Sequence, residues 1–464
     1  MAPTETLIDE PRSSTTRRRR VIIVAPHFAP SNLASTHRSR LFGQHLPEFG
    51  WEPVIVTVDH SFYEEQLDWK LAGLVAQHLR VERVGALPTK PIRVVGDIGV
   101  RGFWPMLRRI LNIIDRDGAD FLYITVPSFF AAPLGRLAYE LRGIPYGIDY
   151  SDPWVHTWPG SDRPLTKAWF SRRLGELLEP MSVRHASLIT GVSDRTYRDV
   201  LARHPHLVAQ AVHETMPYGG EEGDHIAARR LGEAPYLLPP SEKFRVIYAG
   251  TMWDNGKENL ERMFRAIGAN RQEFEDVQFV FIGTGTSPND PQPQVRPLAA
   301  QFGLGEELVM EYPARIPYLD VLTHLEAADA ILIIGSTKAH YTPSKVYQSI
   351  LARRPIFAVL HSESPAGAIL SGSRSGQLLR FNGAADLESV ERTFVEAFQK
   401  FRVFARSFDR DSVDASATEK WSARSMTRKL AVALDSALLR RRPAHEENRT
   451  GALTSRWAER RGTR

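Results

Sequence analysis

Three short segments of the sequence combine residue types that bind an anion. The first is Thr342-Pro-Ser-Lys345, which opens an amphipathic stretch. It supplies the Ser344 hydroxyl, the Lys345 charge and the free backbone N–H groups of a helix start. An ordinary helix cap with Lys345 in solvent has the same pattern. This segment therefore indicates a phosphate-binding loop only in combination with similar loops nearby.

Two further segments place glycine, hydroxyl and lysine residues directly after predicted strands. One supplies Thr251 and Lys257, and the other supplies Gly283 and Gly285, where a bare backbone permits close approach of a ligand. Ligands of open α/β sheets bind beyond the carboxyl ends of the strands. Each loop alone is more often structural than functional. The three loops together favour a diphosphate-binding site.

Strands and helices alternate along most of the chain. Short apolar runs separate amphipathic segments, as at residues 21–25, 330–334 and 356–360. Such alternation is typical of a parallel α/β sheet with right-handed crossovers. Because the alternation restarts after a Gly- and Pro-rich stretch, the sequence predicts two successive doubly wound, Rossmann-like domains that face a central cleft.

The changes of pattern also predict the domain boundaries. A final helix is expected to return to the N-terminal domain, because its apolar residues continue at helical spacing after the second alternation has ended. The predicted units are a disordered basic tail (1–20), an N-terminal acceptor domain (21–216), a linker (217–243), a C-terminal nucleotide-sugar domain (244–418), the crossover helix (419–440) and a second disordered basic tail (441–464).

Composition limits the class of protein. The 464 residues are 42% hydrophobic and 24% charged, which is typical of a soluble globular protein. The chain has no cysteine, which excludes disulfides, thiolate metal sites and cysteine nucleophiles. Neither a bilayer-spanning apolar run nor a secretory signal is recognisable. The expected location is the cytoplasm, with peripheral contact at the inner face of the cell membrane.

The net charge of +5 is concentrated in arginines at the two ends, beginning with Arg17 and Arg440. Two interpretations stay open, namely ends that keep the protein soluble and weak attraction to an anionic membrane. Nucleic acid is not an expected partner, because no aromatic-interleaved basic motif accompanies the arginines.

Several segments together resemble bacterial family-4 retaining glycosyltransferases of the GT-B fold. The likeness covers about residues 21–435 and is greatest for members that carry an Asp-Phe-Arg-Asp-Pro-Trp segment. The segments that carry it are residues 25–57, 148–154, 189–201, 247–267, 279–285 and 343–360.

The resemblance implies that the C-terminal domain binds a nucleotide-diphosphate sugar as donor, with no cofactor and no metal ion. Lys257 would neutralise the diphosphate together with the helix start at Ser344 and Lys345. Thr251 stands where relatives commonly carry an arginine. Gly283 and Gly285, which follow the second predicted strand of the C-terminal domain, would lie along the same phosphates.

The resemblance also implies the contacts to the nucleoside. Arg315 and Ile316 would lie near the base, and Gln348 would meet a ribose hydroxyl. Many relatives carry two glutamates eight residues apart here, whereas this chain has His340 and Gln348. A glutamine still forms the hydrogen bond, but without the charge-assisted strength of a carboxylate.

In the N-terminal domain, the resemblance implies that Asn32, Ser35 and Arg38 close over the sugar. Asp152 would stand beside the reacting carbon as the catalytic residue, while Asp149 would serve the structure. The motif here reads Asp-Tyr-Ser-Asp and lacks the arginine of the relatives.

The implied reaction is sugar transfer with retention to a glycan or lipid-linked acceptor. Two alternatives stay open: a nucleotide-sugar epimerase of similar fold, and a non-catalytic homologue that binds donor or a partner enzyme. The substitutions at His340 and Gln348 motivate the second. An Asp-x-Asp metal motif occurs at Asp115 and Asp117, but it follows a helical run, so we interpret it as a solvated helix end.

Overall fold

Two parallel β-sheets form the centre of the computed structural model, which describes residues 18–91, 96–126, 128–155, 161–287, 290–338, 344–414 and 418–440. The strands are β1 (Arg19–Val24), β2 (Trp51–Val58), β3 (Arg80–Val84), β4 (Phe121–Val126), β5 (Tyr146–Tyr150), β6 (Leu188–Gly191), β7 (Val212–Thr215), β8 (Phe244–Ala249), β9 (Val277–Ile282), β10 (Val309–Tyr312), β11 (Ala330–Ile334), β12 (Ile356–His361) and β13 (Gly376–Phe381). The first sheet has the order β3-β2-β1-β4-β5-β6-β7 and the second β10-β9-β8-β11-β12-β13.

Helices cover both faces of each sheet. They are α1 (Ala34–His45), α2 (Trp69–Ala72), α3 (Ile98–Arg101), α4 (Phe103–Asp117), α5 (Pro133–Arg142), α6 (Lys167–Val183), α7 (Asp194–Arg203), α8 (His206–Gln210), α9 (Glu222–Leu231), α10 (Asp254–Ala269), α11 (Arg296–Ala300), α12 (Tyr318–Ala327), α13 (Lys345–Leu351), α14 (Pro365–Ser373), α15 (Leu387–Arg406) and α16 (423–440). Central strands such as β4 and β11 are buried along their whole length, as expected for strands covered on both faces.

The two sheets confirm the predicted fold class of two doubly wound, Rossmann-like domains. In each sheet the strand order changes direction once. The change lies between β1 and β4 in the first sheet and between β8 and β11 in the second. Such reversal points are where open α/β sheets bind ligands. The architecture therefore directs attention to the loops after β1, β8 and β11.

Two chain segments cross between the domains side by side. Gly220 N–H donates to the Trp421 carbonyl at 3.1 Å, and Ala423 N–H donates to the Gly220 carbonyl at 2.8 Å. After this crossing, α16 packs Met426 and Leu430 into one apolar cluster with residues of β1 and β4. The last helix thus lies against the N-terminal sheet.

The connection over residues 217–243, which the sequence suggests to be an irregular linker, contains the helix α9. Its inner face buries Asp224, His225 and Ala228, and Ala228 packs with Leu322 of α12. Because two of its buried residues are ionisable, α9 lacks the regular apolar spacing by which a helix is recognised in a sequence.

Several smaller expectations have definite outcomes. Asp115 and Asp117 end α4 and form ion pairs with Arg142 and Arg80, so the Asp-x-Asp motif is the helix end that was predicted. Among the described residues, no cluster of metal-ligating side chains occurs. The described helices include none that is both long and apolar enough to cross a membrane. Residues 1–17 and 441–464 lie outside the described residues.

A buried ion pair fixes α1 to the first sheet. Arg38 donates to both carboxylate oxygens of Asp149 on β5, at 2.6 and 2.9 Å, and to the carbonyls of Met216 and Pro217 at 2.7 and 3.3 Å. Thr190 on β6 donates to the same carboxylate at 2.7 Å. Asp149 therefore has the structural place expected for it. The guanidinium of Arg38, expected to close over a sugar, is instead engaged inside the N-terminal domain.

We predict that Arg38→Met lowers the free energy of unfolding by about 3–5 kcal/mol, because it leaves the Asp149 carboxylate buried without a counter-charge. The exposed pair of Arg142 and Asp115 provides a matched control, and Arg142→Met is expected to leave stability nearly unchanged. Urea denaturation followed by circular dichroism measures both. Equal losses in the two variants would contradict a stabilising role for the buried pair.

Candidate functional site

A cavity of about 280 Å³ lies between the two sheets, where the carboxyl ends of their central strands face each other. This volume is just below the range for small-molecule pockets, roughly 300–1,000 Å³. Nine residues expected from the sequence to form the site line it. They are Asn32, Arg38, Thr251, Gly283, Arg315, Ile316, Ser344, Lys345 and Gln348.

Lys345, at the start of α13, lies in a socket made by two residues of β8 and its following loop. Its Nζ donates to the Tyr248 hydroxyl at 2.7 Å and lies 4.1 Å from the centroid of that ring. Gly250 has a φ of +134°, and a Cβ there would lie 2.2 Å from Lys345 Cε. Only glycine fits at this position, because any side chain would be strained and would displace the lysine.

Two effects lower the pKa of Lys345 to about 7. Burial is the larger, since it disfavours the charged ammonium, and the nearby charge of Arg315 adds to it. At neutral pH the amine is therefore close to half protonated. An anion bound beside it would favour the charged form and raise the pKa again.

Arg315, in the loop after β10, is the second cation of the cavity. It donates to the Thr251 hydroxyl at 3.1 Å and approaches the Asn32 carbonyl of the opposite domain at 3.5 Å. Burial lowers its pKa, which Glu65 partly opposes. In the described part of the chain, neither Arg315 nor Lys345 forms an ion pair, and no carboxylate is among the residues that line the cavity. The cavity is therefore electropositive.

Gln348 lies one turn further along α13 and is held by hydrogen bonds that cross the interface. Its Nε2 donates to the Tyr318 hydroxyl at 2.6 Å, and that hydroxyl donates to Asp224 at 2.9 Å. Asp224 in turn pairs with both terminal nitrogens of Arg40 on α1, at 3.1 and 2.6 Å. The other amide atom, Gln348 Oε1, is buried and has no partner among the described residues. It is an acceptor available to a hydroxyl.

The N-terminal wall contains a histidine that sequence reasoning did not single out. The Nε2 of His37 bonds the Asn32 side-chain oxygen at 2.9 Å, and its ring lies 4.3 Å from that of Tyr318. Burial is the main reason that its pKa is lowered to about 3, with a smaller effect of Arg40, so the ring is neutral. The sequence feature that could have identified His37 is its position directly before Arg38, in the same loop-to-helix segment.

Lys257 does not reach the cavity. Its Nζ donates to Asp254 at 2.9 Å and to Gln294 at 2.7 Å, in a separate open depression on the C-terminal domain. Gly285 is also outside, in a turn where a Cβ would lie 2.7 Å from Pro291. The geometry therefore pairs Lys345 with Arg315, and not with Lys257 as the sequence suggested.

Three other residues that the sequence analysis singled out are not among the described residues that line the cavity. Asp152 is exposed and lies outside the lining, although its charge acts on Tyr218, which lines the cavity. Burial above all, and Asp152 in second place, raise the pKa of Tyr218 to about 12. Ser35 is buried beside the cavity without lining it. His340 lies outside the described residues.

No family model and no curated protein matches the sequence. Solved structures do match over most of their length. A glycosyltransferase from Rickettsia africae is 11% identical, with 91% of this chain and 99% of that chain covered and a TM-score of 0.59. HepE from Anabaena, in complex with UDP-glucose, is 13% identical, with 90% and 99% covered and a TM-score of 0.58. A UDP-forming trehalose-phosphate synthase from Burkholderia xenovorans is 12% identical, with 90% and 99% covered and a TM-score of 0.58. These matches show that the chain has the GT-B fold, in which two Rossmann-like domains enclose the cavity described above.

Proposed function

We propose that the protein is a glycosyltransferase that moves a sugar from a nucleotide-diphosphate donor to a glycan or lipid-linked acceptor, with retention and without a metal ion. The observation that carries the proposal is the pair of cations, Arg315 and Lys345, at the carboxyl edge of the second sheet. Neither is neutralised by a carboxylate within the described lining. A diphosphate supplies the missing negative charge.

The rest of the cavity accommodates the other parts of a nucleotide sugar. In the proposed arrangement Gln348 Oε1 accepts a hydrogen bond from a ribose hydroxyl, while Gly283 and Ile316 leave room for the base. The sugar then faces Asn32 and the N-terminal wall. The neighbours named above include one solved with UDP-glucose and one described as UDP-forming, which supports a nucleotide-sugar donor in this fold.

The proposed chemistry rests on stabilising the leaving diphosphate. Arg315 and Lys345 would bind it more strongly as negative charge develops on the bridging oxygen. Because α13 has only seven residues, we assign most of this stabilisation of the diphosphate to the two side chains and little to the helix dipole. The departing phosphate would accept the proton of the attacking hydroxyl. The proposal gives Asp152 no direct contact with the reacting atoms.

A panel of nucleotide sugars tests the function. We expect release of free nucleoside diphosphate from at least one donor, undiminished by EDTA, and loss of release in Lys345→Met. Donor binding without release under any condition would instead favour a non-catalytic homologue. Conversion of the sugar while it stays on the nucleotide would favour an epimerase. Absence of binding to every donor would overturn the proposal.

We predict that Lys345 couples nucleoside diphosphate binding to proton uptake. The ligand is the nucleoside diphosphate of the donor that is active in the panel. Binding raises the pKa of Lys345 from about 7, so the complex takes up a proton and affinity falls as pH rises. Above pH 7.5, where phosphates with a pKa near 6 are already ionised, the loss approaches about tenfold per pH unit. Calorimetry between pH 7.5 and 9, in buffers of different ionisation enthalpy, measures both the affinity and the proton uptake.

Lys345→Met is expected to weaken binding roughly 10- to 100-fold at pH 7, since a hydrogen bond to a charged group contributes about 1.5–3 kcal/mol. It should also abolish the proton uptake. Lys257→Met removes an equal charge outside the cavity and is the matched control, for which we expect parental affinity. A weaker affinity in the Lys257 variant would restore that residue to the diphosphate site.

The ribose contact is tested by pairing Gln348→Ala with a nucleotide that lacks the hydroxyls. The parent should bind the 2′,3′-dideoxynucleoside diphosphate about fivefold more weakly than the ribonucleotide, the effect of one neutral hydrogen bond of about 1 kcal/mol. The Gln348→Ala protein should bind the two nucleotides equally. If both proteins discriminate to the same extent, Gln348 does not meet the ribose.

A further inference from the structure

The outer face of α6 carries an apolar stripe. Phe170, Leu174, Leu177 and Met181 are 54%, 41%, 64% and 55% exposed. Their spacings of four, three and four residues put them on one side of the helix, along about 16 Å of its axis. Single apolar side chains are common on protein surfaces, whereas a contiguous row of four large ones is typical of an interaction site.

The stripe is not an inner face left open by a loose helix, because residues on other sides of α6 pack into the domain. Val183 belongs to the core beneath the first sheet, and Glu179 is buried against Arg203 at 2.8 Å. Gly175 allows close contact with Trp154, with a Cβ position only 3.0 Å from the indole nitrogen. The helix is therefore fixed in place, with its stripe directed outward.

The edges of the stripe are cationic. Arg184 is exposed beside it, as is Arg173, which pairs with Glu176. Arg163 is exposed next to Asp162 just before the helix begins. Neither acid of α6 leaves an unpaired negative charge beside the stripe, since Glu179 is buried against Arg203 and Glu176 pairs with Arg172 and Arg173. An apolar face with basic edges is the pattern of a helix that lies in the interface of an anionic membrane.

A second basic segment begins at the same end of the helix. Gln210 donates to the Arg184 carbonyl at 3.1 Å, and Arg440 donates to the neighbouring Ala211 carbonyl at 2.8 Å. Residues 441–464 start from that point and contain seven arginines against three glutamates. The charge of this segment is repelled by the basic edges of the stripe and attracted by the same anionic surface.

We propose that α6 docks the protein on an anionic membrane surface, with Phe170, Leu174, Leu177 and Met181 at the boundary between headgroups and acyl chains. A second copy of the chain is a poorer occupant, because four half-exposed side chains fall short of the roughly 800 Å² per partner that a standard interface buries. The inference is independent of the proposed function, since membrane contact requires no donor. Because α6 packs on the loop that holds Trp154, docking would also fix the orientation of the cavity.

The absence of cysteine from the sequence makes a site-specific test available. Leu174→Cys, labelled with an environment-sensitive nitrobenzoxadiazole dye in the full chain, should brighten severalfold and shift to the blue with phosphatidylcholine vesicles that contain 30% phosphatidylglycerol. Pure phosphatidylcholine vesicles should give little response. The matched control is Val403→Cys on α15, which is 67% exposed in the other domain and should respond to neither vesicle.

Vesicle flotation at 0.15 M salt supplies the second measurement. Phe170→Ser/Leu177→Ser should lose at least tenfold in partition to the anionic vesicles, because two large apolar groups no longer leave water. Leu231→Ser/Val403→Ser, which removes two exposed apolar residues elsewhere, should partition like the parent. Unchanged circular dichroism and nucleotide binding in each variant show that folding and the cavity are intact.

Three results would overturn the proposal. Equal flotation of the stripe variant and the parent would assign any membrane contact to other parts of the chain. A dye response at both labelled positions would indicate nonspecific adsorption. A parent that does not float, and whose dimer is lost in the stripe variant by light scattering, would make the face a contact between copies of the chain.

Discussion

The buried ion pair between Arg40 and Asp224 joins the parts of this protein. Arg40 belongs to the first helix of the N-terminal domain, and Asp224 to the helix that connects the domains. Burial of two charges is favourable only when their geometry is good and their other hydrogen-bonding groups are satisfied. Here the carboxylate also accepts from Tyr318 of the C-terminal domain, whereas Arg40 Nε is buried without a partner among the described residues. The Asp224 carboxylate thus links the N-terminal domain, the connecting helix and the C-terminal domain.

The same interaction reaches the candidate site through Tyr318, whose hydroxyl accepts from Gln348. The amide of Gln348 is oriented by this bond, which leaves its oxygen for a ligand. A second bond, from Tyr318 N–H to Asp68 Oδ2 at 2.6 Å, holds the start of α12 against the N-terminal domain. Asp68 also accepts from Asn32, so both walls of the cavity are positioned by carboxylates that lie outside it.

The polar character of α1 explains part of what sequence could and could not predict. Its buried face includes Ser35, Thr36, Arg38, Ser39 and Arg40. An amphipathic pattern assigns such residues to solvent, because it assumes that the buried side of a helix is apolar. In this chain the helix lies between the first sheet and the connecting helix α9, and its arginines bond to both. The helix itself was predictable, whereas the partners of its arginines depended on segments more than a hundred residues away.

A similar limit applies to the strands. The central strands were predictable because burial on both faces requires unbroken apolar runs. Three edge strands, β3, β7 and β13, were not predicted, since their exposed side carries charged or polar residues such as Arg80, Glu82 and His213. In the site, the sequence placed Lys345 and Gln348 on the helix that lines the cavity. The sequence favours Lys257 over Arg315 for the diphosphate, because a local motif does not show that Lys257 bonds to Asp254 and Gln294 away from the cavity.

The pairing of an arginine with a lysine gives the cavity one fixed charge and one that depends on the ligand. Arg315 stays protonated at any physiological pH, even with its pKa lowered. Lys345, enclosed by Tyr248 and Gly250, has a pKa of about 7 and is close to half neutral when no anion is present. The empty site therefore avoids the full repulsion of two adjacent cations, and the second charge forms as an anion arrives. In the proposed site this protonation costs part of the anion's binding free energy, and a ligand without negative charge would not induce it.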